Sequence, residues 1–266
     1  MAREVAIEPV AVPAGLAAAV AGRRWFRDRV GESGCSVFRL ARDGEDDLYL
    51  KMAGPETLSD LVDEMVRLRW LAGYLRVPPL HGFALEAEGG WMLTGRLPGR
   101  TAYQLLEADP SAAPVLAASL ARFLRRLHEI PVERCPFNAD HGVRLAAARD
   151  RMEAGLVDEA EFDPARLGKS AGQVWDEMLA AMPSAFDRVV THGDFSLDNL
   201  LVVDGEVTGC IDLGRVGVAD RWQDLAILWN SLEEFGTDAA EAMLQAYGIG
   251  MDRNRLDFHL RLDEFF

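Results

Sequence analysis

The segment His192–Asn199 concentrates polar side chains whose types and spacing could support catalysis. Its sequence is HGDFSLDN, and a further acidic residue, Asp212, follows an apolar run. Asp194 and Asn199 are five residues apart, so one loop can direct both side chains inward. Two carboxylates and an amide oxygen are hard donors that suit Mg²⁺, which keeps other positions for water and phosphate. One of the carboxylates could instead receive the proton of a substrate hydroxyl.

These side chains come together only if the chain turns back on itself after Asn199. Asp204 and Gly205 lie between two apolar runs, and an Asp-Gly pair in that setting is a strong signal for a tight hairpin. The hairpin would return Asp212 to the neighbourhood of the loop. The predicted elements around the loop are a strand at residues 189–190, hairpin strands at 199–203 and 206–211, and helices at about 220–235, 237–247 and 252–265.

The N-terminal third of the sequence predicts a small sheet with one helix. Apolar residues recur at three- and four-residue steps between residues 56 and 74, which indicates an amphipathic helix. Residues 95–99 have no periodicity and contain a Pro-Gly pair, so they are predicted to be a hinge between two lobes, where ligands commonly bind. The remaining predicted elements are strands at 37–40, 48–51 and 91–94, a long helix at 110–128 and an irregular helical region at 140–183.

The charge balance narrows the possible partners. The chain has 266 residues, with 28 basic and 43 acidic residues and a net charge of −15. Nucleic acids and anionic membranes are therefore not expected as partners. An acidic surface attracts cationic ligands, although it also serves plain solubility. No apolar run is long enough for a membrane span, the start does not resemble a signal peptide, and a cytoplasmic protein is expected.

The lysines are informative because arginine has nearly replaced them. Only Lys51 and Lys169 occur, against 26 arginines. A surviving lysine is a candidate for work that needs a compact ammonium, and Lys51 lies in a predicted strand. Lys169 follows Gly168 and precedes Ser170, like the end of a phosphate-binding loop. The first glycine of that motif would be residue 163, which is Asp163, so Lys169 is interpreted as a surface residue.

The spacing from His192 to Asn199, followed by Asp212-Leu-Gly214, resembles the catalytic set of protein kinases. With Gly193 inside His-Gly-Asp, it is more similar to the antibiotic and small-molecule kinases. It most closely resembles the aminoglycoside 3′-phosphotransferases, which share the Ile-Asp-x-Gly-Arg run, the later Ala-Asp-Arg-x-x-Asp-Leu-Ala run and the Leu-Asp-Glu-Phe-Phe terminus. These runs occupy residues 211–215, 219–226 and 262–266.

This resemblance implies an α+β, bilobal, protein-kinase-like fold. It implies an N-terminal nucleotide-binding lobe at residues 1–94, a hinge at 95–99 and a mainly helical catalytic lobe at 100–266. The implied reaction is ATP-dependent phosphorylation of the 3′-hydroxyl of kanamycin- or neomycin-type aminoglycosides, which confers antibiotic resistance. In that reading Asp194 is the catalytic residue, while Asn199 and Asp212 hold Mg²⁺.

The resemblance also implies the nucleotide contacts. Lys51 would bind the phosphates of ATP and Glu64 would hold it in place. The short phosphate-covering loop would contribute a serine, an aromatic residue would stack on adenine, and the hinge would bind adenine through its backbone. The residues that match these three roles are Ser33; Tyr49; and Thr94, Arg96 and Leu97.

The implied acceptor is a polycation, for which carboxylates are the complementary groups. The positions that match substrate contacts are Asp158, Glu159, Glu161, Asp163, Arg215, Glu234, Asp263, Glu264 and the C-terminal Phe266. Asn230 and Ser231 depart from relatives with Arg and Asp there, which leaves the range of accepted antibiotics open.

Other interpretations remain open at the level of sequence. A kinase of the same fold could act on another small cationic or hydroxylated metabolite. A non-catalytic nucleotide-binding module is also conceivable, but no catalytic position is lost. His192 is expected to brace the loop rather than to act in acid–base chemistry. A monomer or a weak homodimer is expected.

Overall fold

The computed structural model describes residues 4–29 and 34–266. Ser33 therefore lies outside the described residues. The chain divides into two compact units, one formed by residues 1–98 with 209–214 and the other by residues 99–208 with 215–266. The division places Asp212 in the first unit, although Asp194 and Asn199 belong to the second.

An antiparallel sheet forms the frame of the first unit. Its order within the described residues is β1-β2-β3-β4-β6-β5, and every neighbouring pair runs antiparallel. The predicted strands around Asp43-Gly44 and at residues 91–94 are confirmed as β3, β4 and β6. The strands are β1 (Glu4–Ile7), β2 (Arg24–Asp28), β3 (Ser36–Ala41), β4 (Leu48–Ala53), β5 (Leu80–Glu86) and β6 (Gly89–Gly95).

Alternation along β4 decides which side chains reach the core. Leu48 and Leu50 are buried with Phe38 and Leu93, whereas Lys51 is only partly buried. Two helices, α1 (Ala14–Val20) and α2 (Leu58–Leu71), belong to the same unit. Leu61 of α2 is fully buried, so the helix packs its apolar stripe against the sheet as its periodicity predicts.

The second unit is mainly helical. The long predicted helix is confirmed as α4, preceded by a short 3₁₀ turn at Pro110–Ala112, and α4 packs on α8. The apolar stripe that its spacing predicts is buried at all five positions, which are Leu116, Leu120, Phe123, Leu124 and Leu127. The helices are α3 (Ala102–Ala108), α4 (Ala113–His128), α5 (His141–Glu153), α6 (Ala171–Ala180), α7 (Trp222–Glu233), α8 (Thr237–Tyr247) and α9 (Arg253–Asp263).

Short strands carry the loop with the polar residues. Asp204 and Gly205 both have positive φ, at 51° and 78°, as a tight hairpin turn requires, so the predicted hairpin is confirmed. The strand predicted at residues 189–190 is also confirmed. The strands are β7 (Arg100–Thr101), β8 (Arg188–Thr191), β9 (Leu200–Val203), β10 (Glu206–Cys210) and β11 (Gly217–Asp220), with β8 paired to β11.

The irregular helical region predicted at 140–183 is only partly helical. It contains α5 and α6, but residues 154–170 form turns and bends. Gly155 and Gly168 adopt positive φ, which interrupts a helix. The Asp158 and Asp163 carboxylates accept hydrogen bonds from the backbone two residues on, and such local bonds compete with helix formation. The acidic run at 158–163 therefore lies on a looped segment.

The described residues form sheets and helices in an α+β arrangement, which confirms the predicted class. Within them, no helix combines the length and apolar character needed to cross a membrane.

Candidate active site

Lys51 is the centre of an ion cluster in the first unit. Its Nζ lies 2.8 Å from both carboxylate oxygens of Glu64 and 2.9 Å from Oδ1 of Asp212. Lys51 comes from β4, Glu64 from α2, and Asp212 follows β10. Glu64 is 8% exposed, so the sheet and the helix enclose this end of the cluster. The structure thus brings together Lys51 and Glu64, which the family resemblance paired, and places Asp212 in the same ion cluster.

The cluster controls the charge of Lys51. Burial disfavours the ammonium, but the carboxylates of Glu64 and Asp212 outweigh burial and raise the pKa of Lys51 above its ordinary value. Burial also raises the pKa of Glu64, against the opposing effect of Lys51. Lys51 therefore keeps its positive charge across the neutral pH range, as an interaction with phosphate oxygens requires.

Asp212 has an unusual backbone conformation for a residue with a side chain. Its φ is 63°, in the left-handed region, which aspartate tolerates better than most residues. Such conformations persist only where the surrounding structure holds them, and they cluster at functional sites. The Asp212 side chain is 47% exposed, so it is held by Lys51 and still faces solvent.

The second unit holds Asp194 and Asn199 on the loop between β8 and β9. Nδ2 of Asn199 donates to the main-chain oxygen of Asp194, at 3.0 Å, and to its Oδ2, at 3.1 Å. Because the amide nitrogen faces Asp194, Oδ1 of Asn199 is the atom that can ligate a cation. Among the described residues, no group of three or more His, Cys, Asp or Glu side chains could hold a metal ion. Mg²⁺ prefers a few protein oxygens and keeps water and phosphate ligands, and the Asp212 carboxylate and Oδ1 of Asn199 are oxygen donors of that kind.

A buried carboxylate that the sequence analysis did not select, Asp224, holds this loop. It is fully buried on α7 and accepts the backbone N–H groups of His192, at 2.7 Å, and Gly193, at 2.8 Å. Nε2 of His128 lies 3.1 Å from its Oδ2, and Nδ1 of the same ring lies 2.8 Å from the hydroxyl of Tyr247. The available signal was an aspartate inside an apolar helix, which must find partners when buried.

Gly193 and His192 hold the backbone next to Asp194 in its conformation. Gly193 has a φ of 88°, and a Cβ there would lie 2.5 Å from the main-chain oxygen of Arg215, so a side chain would be strained. His192 is fully buried, and its Nδ1 accepts the N–H of Asp194 at 3.3 Å. The ring thus braces the loop from inside the protein.

The predicted adenine contacts lie on neighbouring strands. Tyr49 of β4 pairs in register with Thr94 of β6, and burial raises the pKa of the Tyr49 phenol. The N–H of Arg96 donates to the carbonyl of Asp47 at 3.1 Å, so this hinge donor already has an internal partner. Leu97 is buried. A role for the hinge would rest on its other backbone groups.

The predicted acceptor contacts at the C-terminus differ in their surroundings. Glu264 has a 7% exposed side chain, pairs with Arg166 and accepts the N–H of Asp163. Asp263 is more exposed and accepts from Nη2 of Arg144 at 3.0 Å. Glu264 is therefore held in an internal ion pair, whereas Asp263 still reaches solvent.

The rest of the predicted acceptor set is more dispersed. Glu159 accepts the N–H of Ala171 at the start of α6, and Glu161 is exposed. Glu234 is also exposed and raises the pKa of Tyr103, with a smaller contribution from Asp198 of the loop. The structure thus places Glu234 near Tyr103, while the Glu159 carboxylate accepts a backbone N–H at the start of α6. The remaining residues in the set, Arg215 and Phe266, lie together, with the guanidinium carbon 5.1 Å from the ring centroid.

Comparison with known proteins shows which family the chain resembles. The model of the phosphotransferase enzyme family matches residues 29–259. An aminoglycoside 3′-phosphotransferase of Escherichia coli is 50% identical over 99% of this chain and 98% of its own. The crystal structure of an aminoglycoside 3′-phosphotransferase of type VIII has a TM-score of 0.83 and 33% identity, over 95% of this chain and 97% of that one. An aminoglycoside phosphotransferase of Streptomyces rimosus, in complex with ADP and streptomycin, has a TM-score of 0.77 and 30% identity, over 89% and 94%.

The fold and the site define a phosphotransferase with the kinase-like fold that the motifs predict. Within that class, the chain belongs to the aminoglycoside 3′-phosphotransferase family.

Proposed function

We propose that the chain transfers the γ-phosphoryl group of ATP to the 3′-hydroxyl of an aminoglycoside of the kanamycin or neomycin type. The observation that supports the proposal is the presence of two ordered groups, the Lys51 ion cluster and the Asp194–Asn199 loop. They occur in a chain that is 50% identical to an aminoglycoside 3′-phosphotransferase. The relative with bound ADP and streptomycin supports a nucleotide and an aminoglycoside as the two substrates.

Each residue has a role that its surroundings support. Asp194 accepts or orients the proton of the acceptor hydroxyl, since it is a carboxylate on a loop whose backbone is fixed by Asp224 and His192. Lys51, held by Glu64, binds phosphate oxygens of ATP. Asn199 and Asp212 would hold Mg²⁺, which neutralises phosphate charge when bound. Positioning and charge neutralisation carry most of the catalysis in such reactions.

The acceptor is recognised by charge. The net charge of −15 favours a polycation, and exposed carboxylates such as Glu161 and Glu234 are available to ammonium groups. Asp263, whose side chain still reaches solvent, would add to them. We propose that the reaction takes place in the cytoplasm, where it would confer resistance to the modified drug.

The test is ADP release with Mg·ATP and kanamycin, beside an analogue that lacks the 3′-hydroxyl. We expect turnover with kanamycin and none with the analogue. Turnover with both would refute the assignment of the 3′ position, and turnover with neither would refute the acceptor and favour a kinase for another small amine or alcohol.

A second experiment tests the catalytic role of Asp194. Asp194→Asn keeps the shape of the side chain and removes the proton acceptor, so kcat should fall about 10²- to 10⁴-fold while ADP binding is retained. Asp176→Asn, an equal change on the exposed face of α6, is the matched control. Near-normal turnover of Asp194→Asn would refute the catalytic role.

A further inference from the structure

Arg144 is a buried arginine that joins two functional regions of the second unit. It lies in the first turn of α5 and is 8% exposed. Its Nη1 donates to the carbonyl of Gly193 at 3.1 Å, and its Nη2 donates to Oδ1 of Asp263 at 3.0 Å. One guanidinium group therefore binds both the catalytic loop and the C-terminal segment.

The C-terminal residue packs on the same group. The guanidinium carbon of Arg144 lies 4.6 Å from the ring centroid of Phe266, and that of Arg215 lies 5.1 Å from the same centroid. Such contacts between guanidinium groups and aromatic rings are favourable when they are shielded from water. Arg144 thus contacts two residues of the C-terminal segment, Asp263 and Phe266.

The carbonyl that Arg144 binds belongs to the peptide bond directly before Asp194. The N–H of that peptide bond is bound by Nδ1 of His192. Both polar groups of the peptide are therefore held, one from α5 and one from inside the loop. A peptide plane held on both sides fixes the backbone from which the Asp194 side chain projects.

Burial makes the partners of Arg144 interdependent. A guanidinium group that has lost its water needs partners to offset the cost, and removal of one partner leaves charge that is poorly compensated. Nε of Arg144 is buried and makes no hydrogen bond within the described part of the chain. The outer nitrogens therefore carry the polar contacts of Arg144, one to the carbonyl of Gly193 and one to Asp263.

We propose that Arg144 is a positioning residue that couples the acceptor-binding C-terminus, through Asp263 and Phe266, to the peptide bond before Asp194. The inference rests on the proposed function, because it takes Asp194 as the residue that receives the hydroxyl proton. Arg144 touches neither reacting atom and acts through the backbone of Asp194. Its effect should therefore fall on kcat for the acceptor rather than on nucleotide binding.

The test uses the full chain and Arg144→Lys, which keeps the charge but cannot bind two groups at once with a planar fork. We expect kcat with kanamycin to fall about 10- to 100-fold, in the range caused by small misplacements of catalytic groups. The KM for ATP should stay within about twofold, because Lys51 and Glu64 are unchanged. Arg149→Lys is the matched control, since Arg149 lies on the same helix against Trp175 and should leave kcat unchanged.

A second variant protects the test against misfolding. Asp263→Asn leaves Arg144 in place and weakens its C-terminal partner, and it should lower kcat in the same direction by a smaller factor. In the double variant the two effects should be less than multiplicative, because both act through one guanidinium group. A purely structural role would lower the melting temperature without this pattern in kcat.

The outcomes separate the two proposals. Normal kcat in Arg144→Lys, or equal losses in Arg144→Lys and Arg149→Lys, would overturn the coupling and leave the proposed function intact. Fully multiplicative losses in the double variant would also overturn it. Absence of kanamycin phosphorylation by the unaltered chain would overturn the proposed function, and this inference with it.

Discussion

Replacing Asp224 by asparagine tests whether the loop that carries Asp194 depends on a residue far from it in the sequence. In the structure, Oδ2 accepts the N–H of His192 and faces Nε2 of His128, and Oδ1 accepts the N–H of Gly193. Asparagine has nearly the same shape but only one oxygen that can accept. Whichever way its amide is turned, at least one donor on the loop loses its partner.

The size of the effect follows from these contacts. The less costly orientation keeps the oxygen at His192 and His128 and leaves the N–H of Gly193 facing an amide nitrogen. A buried donor without a partner costs about 1–3 kcal/mol, and the loss of charge weakens each remaining bond by about 1 kcal/mol. Since two bonds remain, to His192 and His128, unfolding free energy should therefore fall by about 3–5 kcal/mol. Since Gly193 precedes Asp194, kcat should also fall about 10²-fold.

The assay combines urea unfolding with steady-state ADP release at saturating ATP and kanamycin. Asp176→Asn supplies the control, because Asp176 is exposed on α6 and bears the same substitution. A lower midpoint with an unchanged denaturant slope would show lost stability without a change in the unfolded state. A loss below about 1 kcal/mol together with normal kcat would refute the reasoning, because it would show that the loop does not rely on Asp224.

The remaining predictions concern Lys51 and a buried histidine. Lys51→Met leaves Glu64 and Asp212 without their shared cation, so the KM for ATP should rise at least about tenfold. Initial rates over a range of ATP concentrations measure this, with Lys169→Met on the surface as the control. An equal KM for ATP in the two variants would refute the role of Lys51. Burial lowers the pKa of His259 to about 3, so between about pH 6.5 and 3 the unfolded chain binds a proton that the folded chain does not. The free energy of unfolding should therefore fall as the pH falls through that window, by up to about 1.4 kcal/mol per pH unit from this group. Urea unfolding at several pH values measures this dependence, and His259→Phe should make it weaker. An unchanged dependence of the unfolding free energy on pH in that variant would contradict the role of His259.

The candidate site residues could be selected from the sequence because the signals for them are local. Asp194 and Asn199 occur at a fixed spacing on one loop, and Asp204-Gly205 supplies a turn signal that depends on two residues only. Lys51 stood out because so few lysines occur. The same holds for α4, whose apolar stripe is regular from Leu116 to Leu127, about three turns. Local spacing and local turn chemistry were sufficient for all of these.

The residues that brace the site were not predictable in the same way. Asp224 and Arg144 bind backbone groups at positions 192 and 193, at separations of 31, 32 and 49 residues. The residues adjacent to them in the sequence do not indicate which backbone carbonyl or N–H group they will bind. The irregular helical region predicted at 140–183 was wrong at residues 154–170 for a related reason. The Asp158 and Asp163 carboxylates accept hydrogen bonds from the backbone two residues on, and such bonds compete with a helix.

The acidic residues that the family resemblance assigns to acceptor binding differ in how far they are buried. Glu264 already pairs with Arg166 inside the protein, and an ammonium group would have to replace that arginine and lose its own water to bind there. Glu161 and Glu234 are exposed and face no such cost. Asp263 stands between these cases, because Arg144 occupies one oxygen while the side chain still reaches solvent. Acceptor binding is therefore expected to depend on the exposed carboxylates directly, and on Glu264 through the position of the terminus that it anchors.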